Sequence, residues 1–247
     1  MKTASYNRMY RFIEYFAQKK GLRNTLIALP LAVKYHSGQK RDDGEPYVMH
    51  PMRVCITLIL LRPEFAFREA YPRKSEQWVW QQCDILFATA LLHDVVEDAE
   101  LPKKGKELVT VYHLSRVVLK NVRILSKPPK KRKHFWSSRY KPKRYYRKIS
   151  KSLIASLVKP TDRKDNCMTF GVFPEKRKKK YMVENYQYIY PLCRIAKRRY
   201  PKFMRIFNTV EGLIKENVKP YEYLLDFKTG NLKERVNTCW LSNPFIR

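Results

Sequence analysis

Ala88-Thr89-Ala90-Leu91-Leu92-His93-Asp94-Val95-Val96-Glu97-Asp98 is an apolar run that ends in four closely spaced ionisable residues. A helix of this composition is buried along its length and delivers its polar end to the edge of the core. His93 and Asp94 are adjacent, so both reach one centre only near a helix end or bend. Glu97 and Asp98 follow one helical turn later if the helix continues.

Outward from this stretch the pattern is helical. Few segments alternate apolar and polar residues as a half-buried strand does, and the chain has only seven glycines. The periodicity predicts helices over about 5–20, 24–36, 49–62, 77–93, 107–125, 143–159, 163–171, 177–199 and 202–216, and the expected class is all-α. Gly21, the turn Asp42-Asp43-Gly44-Glu45-Pro46, and Pro102 with Gly105 punctuate them. A single domain over 1–216 is expected, with 217–247, which contains Pro220, Gly230 and Pro244, as a small irregular C-terminal extension.

Bulk composition narrows the functional classes. The 247 residues include 52 Lys or Arg against 22 Asp or Glu, a net charge of +30, so the surface attracts polyanions. Eleven of those cations and no acid lie within 127–148, which reads as a surface loop leading into a helix. Five widely spaced cysteines without a C-x-x-C pair suggest neither a disulfide framework nor a thiolate zinc site. No apolar run approaches the ~20 residues that span a bilayer. A soluble protein of the cytoplasm is the expectation.

Two further clusters carry candidate chemistry. Asp162, Asn166 and Thr169 stand at i, i+4 and i+7 on one helix face, behind the apolar run Ile154-Ala155-Ser156-Leu157-Val158. A carboxylate, an amide and a hydroxyl in that order suit a metal and then a sugar or base, although polar residues at this spacing usually describe a solvated face. In Gly38–Pro51, a turn leads to a His-Pro step. Placing Pro51 at the first helical position leaves His50 at the N-cap with its side chain free.

Together these elements resemble the hydrolase region of the RelA/SpoT alarmone family, an HD-domain phosphohydrolase, and its stand-alone small alarmone hydrolases. The match covers about residues 25–200. It runs from Ala32 through His36, Arg41 and Gly44 to Pro51, then over Ala-Leu-Leu-His-Asp-x-x-Glu-Asp at 90–98, and then over Lys-x-x-Asp-Arg-x-x-Asn-x-x-Thr at 159–169. The resemblance implies that His50, His93, Asp94 and Asp162 bind one divalent cation, usually manganese. It implies that Glu97 and Asp98 position or deprotonate the attacking water, and that Arg41, Asn166 and Thr169 contact the nucleotide; Lys159 is a further candidate for the phosphates. The implied reaction removes pyrophosphate from the 3′ position of (p)ppGpp, giving GDP or GTP. Two imidazoles and two carboxylates suit Mn²⁺ and leave coordination positions open.

The chain departs from the family at Asp42-Asp43, where a basic residue often follows the arginine. It departs again at Pro160-Thr161 in place of Leu-Ala, where a helix is expected to restart. Fewer than 50 residues follow the match, so no synthetase region is expected. Two alternatives are carried. One is an antitoxin hydrolase of the same type that removes pyrophosphate from the 3′ end of tRNA and has a toxin partner, with 127–148 on the RNA. The other is a non-catalytic module that binds RNA or a protein partner. His36 is expected to make a structural hydrogen bond, and Arg163 an ion pair.

Overall fold

Ser75 starts the central helix: its side chain accepts from the Trp78 amide at 3.2 Å and caps Glu76–Leu92. In the computed structural model of the chain, residues 2–98, 105–127 and 141–224 are described. Among them the helices, in order, are α1 (Lys2–Lys20), α2 (Arg23–Tyr35), α3 (Met49–Leu60), α4 (Pro63–Ala70), α5 (Glu76–Leu92), the single turn α6 (Val95–Asp98), α7 (Glu107–Thr110), α8 (Arg116–Leu125), α9 (Pro142–Ser150), α10 (Leu153–Met168), α11 (Glu175–Glu184), α12 (Tyr190–Arg199) and α13 (Met204–Val218). No strand occurs among the described residues, and the one isolated bridge joins Lys40 to Pro46. The fold is all-α.

Two helices form the centre. The last seven residues of α5, Leu86 to Leu92, are all buried, and α2, α3, α4, α8 and α10 pack around α5. α10 is buried along most of its length and bears against α3, α5 and α13. Each Leu or Phe removed from water on these helices contributes about 1.5–3 kcal/mol. Sequence-distant helices therefore meet at the ends of α5 and the middle of α10.

The first turn of α2 is capped from outside. Leu22 precedes it and offers no side-chain cap, but Asp84 of α5 accepts from the amides of Asn24 and Thr25 at 2.9 and 2.8 Å. A buried carboxylate at a helix N-terminus satisfies otherwise unpaired amides and complements the helix dipole. This fixes α2 on α5.

Several helix boundaries differ from the sequence reading. The helix expected to restart at Pro160 does not: α10 runs unbroken from Leu153 to Met168 with Pro160 inside. The break falls earlier, where the Ser152 hydroxyl accepts from the Ala155 amide at 3.2 Å, and tertiary burial outweighs the one hydrogen bond Pro160 cannot donate. The helix expected over 107–125 is two, because Ser115 caps α8 and holds Asn24 Oδ1 through its amide at 2.8 Å. α4 was not expected at all. Arg62, at φ 52°, turns the chain, and Pro63 opens the new helix at its first position. The helix expected over 177–199 contains a π-turn at Asn185–Ile189, separated from Pro191 by Tyr190. Cys55, Cys83, Cys167 and Cys193 are buried in the core and share no disulfide with one another.

Candidate active site

Three elements of the core converge on one cavity. The loop 38–47 is folded on itself by the Arg41 amide donating to Glu45 O at 2.8 Å and the Tyr47 amide to Gln39 O at 2.9 Å, with Gly44 at φ 76° in the turn. It presents Arg41 and Tyr47 and leads into α3. That helix starts at Met49, so His50 lies inside its first turn and Pro51 is the third residue. The expected N-cap position for His50 is thus displaced. Pro51 still falls among the first four residues, whose amides have no partner within the helix.

His50, His93 and Asp162 are all buried, and their donor atoms lie within 4.8 Å of one another. His50 Nε2 is 3.2 Å from Asp162 Oδ1 and 3.6 Å from Asp94 Oδ2. His93 Nε2 is 3.1 Å from Asp94 Oδ2 and 3.8 Å from Asp162 Oδ1. α5 stops at Leu92, which lets the adjacent His93 and Asp94 both turn inward.

Each imidazole is held from behind. His93 Nδ1 lies 2.8 Å from the Ala90 carbonyl, to which only an N–H can donate, so a neutral ring presents an Nε2 lone pair to the cavity. His50 Nδ1 is 2.7 Å from Asp165 Oδ2. His93 Nε2 is buried and makes no hydrogen bond. A lone pair opposing carboxylate oxygens at these distances is repulsive unless a proton or a cation sits between them. The donor set and this orphaned nitrogen fit a divalent cation.

The electrostatics agree. Burial disfavours a charged imidazole at His93, yet the Asp94 and Asp162 carboxylates outweigh it and push the ring well above its usual range. At His50, Asp162 and Asp165 likewise overcome burial and raise the ring. Burial also opposes ionisation of Asp162, but Lys159 and the two imidazoles hold it well below the usual carboxylate range. This is a place that concentrates positive charge.

The other predicted residues divide into three groups. Arg41, Asn166 and Thr169 do come together: Arg41 donates to Asn166 Oδ1 at 3.2 Å and to Thr169 Oγ1 at 3.3 Å. Asn166 also donates to Asp162 Oδ1 at 2.6 Å. Lys159 lines the same cavity, but its ammonium is buried and donates to Asp162 Oδ2 at 2.7 Å, so its first partner is the carboxylate. Glu97 stands at the rim, exposed, and accepts from the Lys127 amide at 3.1 Å. The side chain of Asp98 lies outside the described residues, as do 128–140 of the basic segment. Its last part, from Pro142, begins α9.

Three supporting residues escaped the sequence reading. Asp165 carries His50, accepts from Arg53 Nε at 2.8 Å and pairs with Arg41 at 3.4 Å. Arg53 also donates to Glu45 at 2.6 Å. Tyr47 donates to Asp94 Oδ2 at 2.8 Å. The signal for Asp165 was its position three residues after Asp162, on a neighbouring part of the same helix face.

The cavity above these residues has a volume of about 320 Å³ and gathers seven Lys or Arg, among them Lys40, Lys127, Lys180 and Arg177, against five carboxylates. At its mouth Arg177 pairs with Asp42 and packs over the Phe173 ring at 4.2 Å. Arg163 forms the expected ion pair, with Glu184 at 2.7 Å, and lies over Tyr181. His36 bonds Gln39 through Nδ1 at 2.8 Å and stacks beside Tyr47, as a structural histidine would.

Buried helices that bring two imidazoles and two carboxylates to the floor of a cationic cavity define a candidate metal-dependent hydrolase acting on an anionic substrate. The chain is similar to curated proteins named for guanosine polyphosphate chemistry. It is 27% identical over 180 residues, 71% of its own length, to guanosine-3′,5′-bis(diphosphate) 3′-pyrophosphohydrolase of Vibrio cholerae, and 28% identical over 173 residues, 67%, to the protein of the same name in Aquifex aeolicus. It is also 24% identical over 194 residues to GTP pyrophosphokinase rsh of Brucella ovis. These low identities support a hydrolase of the RelA/SpoT type. The chain spans about a fifth of the length of these relatives, which it covers to 22%, 20% and 22%. No family model matches the chain.

Proposed function

We propose that this protein hydrolyses the 3′-pyrophosphate of (p)ppGpp, releasing pyrophosphate and GDP or GTP. The observation that carries the reading is the convergence of His50, His93, Asp94 and Asp162, with His93 Nε2 buried and unbonded, in a cationic cavity of a chain similar to named 3′-pyrophosphohydrolases.

These four residues would hold the cation, for which manganese is the proposed identity. When bound, a divalent cation polarises a phosphate oxygen and makes water a stronger acid. Tyr47 and Lys159 tie Asp94 and Asp162 in place from outside the centre. Glu97, with Asp98 beside it in sequence, takes the proton as water attacks phosphorus and the ribose 3′ oxygen leaves. Arg41, oriented by Asn166 and Thr169, holds the nucleotide, while Lys40, Lys127 and Lys180 at the walls offset the phosphate charge. Residues 1–216 form the hydrolase unit in this reading, an HD-type domain working in the cytoplasm, and 217–247 the extension.

Incubation of the Mn²⁺-loaded protein with ppGpp, followed by anion-exchange chromatography, tests the proposal. GDP and pyrophosphate should form in equal amounts, stop on chelation and resume when Mn²⁺ is restored. No turnover with any divalent cation, or release of single phosphates, would overturn it.

A further inference from the structure

The +30 charge exceeds what one small nucleotide requires, and part of it is concentrated on three neighbouring helices. Helices α8, α9 and α12 together contain eleven Lys or Arg and no Asp or Glu. They are neighbours. α9 packs against both of the others. Tyr145 donates to Leu125 O at 2.5 Å and Ser152 to Asn121 Oδ1 at 2.6 Å, joining α9 and its C-terminal end to α8; Arg199 donates to Ser150 O at 2.9 Å, joining it to α12.

The outer side of α9 is a stripe. Tyr145, Tyr146, Ile149 and Ser150 face inward, whereas Arg144, Arg147, Lys148 and Lys151 are exposed at i, i+3, i+4 and i+7. The four span about 10 Å along the helix. Lys120 and Arg198 are exposed on the flanking helices. None of these six pairs with a carboxylate of the described residues, although exposed cations elsewhere do, as in Arg68 with Glu76 and Lys202 with Glu69. Like charges four apart on a helix repel, so Arg144 with Lys148 and Arg147 with Lys151 weaken the isolated fold. A polyanion laid across the face would reverse that.

The chemistry of the face selects among polyanions. Of the large hydrophobics exposed on the described surface, only Val117 belongs to these helices; Phe12, Tyr15, Leu60 and Phe65 lie on other elements. Among the described residues of these helices nothing would insert into a lipid surface, and no exposed aromatic offers a stacking platform for unpaired bases. We infer that the α8–α9–α12 face docks the phosphate backbone of a double-helical nucleic acid. Such binding is independent of sequence and steep in salt.

Fluorescence anisotropy of the full chain with a short labelled RNA duplex, and with a DNA duplex of the same length, across a salt series tests this. Replacing Arg144, Arg147, Lys148 and Lys151 with Ser should weaken binding at least about tenfold at low salt and reduce the logarithmic salt slope by about 3.5, as four lost phosphate contacts on a duplex require. Thermal melting should show both proteins folded, and ppGpp turnover should stay within about a factor of two, since no reacting group is touched. The duplex bound more tightly identifies the source of the backbone. Removing the same charge from Arg8, Arg11, Lys19 and Arg23, exposed on α1 and the start of α2, should cost less than about threefold. Equal losses in the two quadruple variants, no duplex binding by the parent, or tighter binding of the parent to phosphatidylserine vesicles than to either duplex would each overturn the inference.

Discussion

His50 Nδ1 and Asp165 Oδ2 lie 2.7 Å apart, both buried, and the same carboxylate accepts from Arg53 and Arg41. Asp165 thus connects one imidazole of the candidate metal centre to two guanidiniums. Its carboxyl is held down to about 2, because His50 and Arg53 outweigh the penalty of burial.

Asp165→Asn should keep the shape of the site and weaken Mn²⁺ binding by about 10–100-fold, the usual effect of removing the partner behind a ligating histidine. Titration calorimetry measures it directly. Binding within twofold of the parent would show that His50 needs no carboxylate to orient it.

Asp162→Ala and His93→Ala should both abolish metal binding and turnover, yet differ in stability. Losing Asp162 strands the buried Lys159 ammonium, a situation that costs about 3–5 kcal/mol. His93→Ala leaves Asp94 with Tyr47 and His50, and Asp162 with Lys159, so neither carboxylate loses every partner. Chemical unfolding in the presence of chelator separates the two, and the double variant Lys159→Met with Asp162→Ala should recover stability but not metal. If Asp162→Ala unfolded at the denaturant concentration of the parent, the Lys159 pairing would have no energetic weight.

Glu97→Gln should retain the cation, measured by elemental analysis, while turnover falls by about 10²–10⁴, the size of general-base assistance. Undiminished turnover in both Glu97→Gln and Asp98→Asn would remove these carboxylates from the chemical step.

Glu184 supplies an acid-stability prediction. Burial opposes its ionisation, but the Arg163 guanidinium at 2.7 Å holds the carboxyl down to about 2. Because the folded value lies below the unfolded one of about 4.3, the pair stabilises the protein above that pH, and the contribution is lost as pH falls toward 2. Thermal melts from pH 5 to 2 should fall less steeply for Glu184→Gln than for the parent. Equal slopes would place the acid sensitivity elsewhere.

The ends of the two central helices were legible in the sequence because burial and chemistry meet there. An apolar run stopping at His93-Asp94, and Asp162 with Asn166 and Thr169 on one face, both describe a helix leaving the core. Asp165, Arg53 and Tyr47 were not singled out, since a polar residue that supports a ligand has no local pattern until its partner on another helix is known. Lys159 was read toward the substrate, and burial instead turned it to Asp162. Pro160 misled for the opposite reason: its local preference is strong, but α10 is surrounded by α3, α5 and α13, and packing overrode it.

The unbroken course of α10 through Pro160 puts Lys159, Asp162, Asp165 and Asn166 on a single rod with Thr169 at its C-cap, while His93 and Asp94 follow directly on the end of another. The alignment of these two groups of residues therefore depends on how the rods seat on each other, with His50 brought to them by α3. Tightly packed interiors transmit small displacements, and a working site tolerates only about 0.5 Å of error. A truncation such as Leu157→Ala or Leu86→Ala, a full helical turn or more from any ligand, would act like a shim removed from between two machined parts: the protein would stay folded with every ligand present, and the ligands would no longer meet.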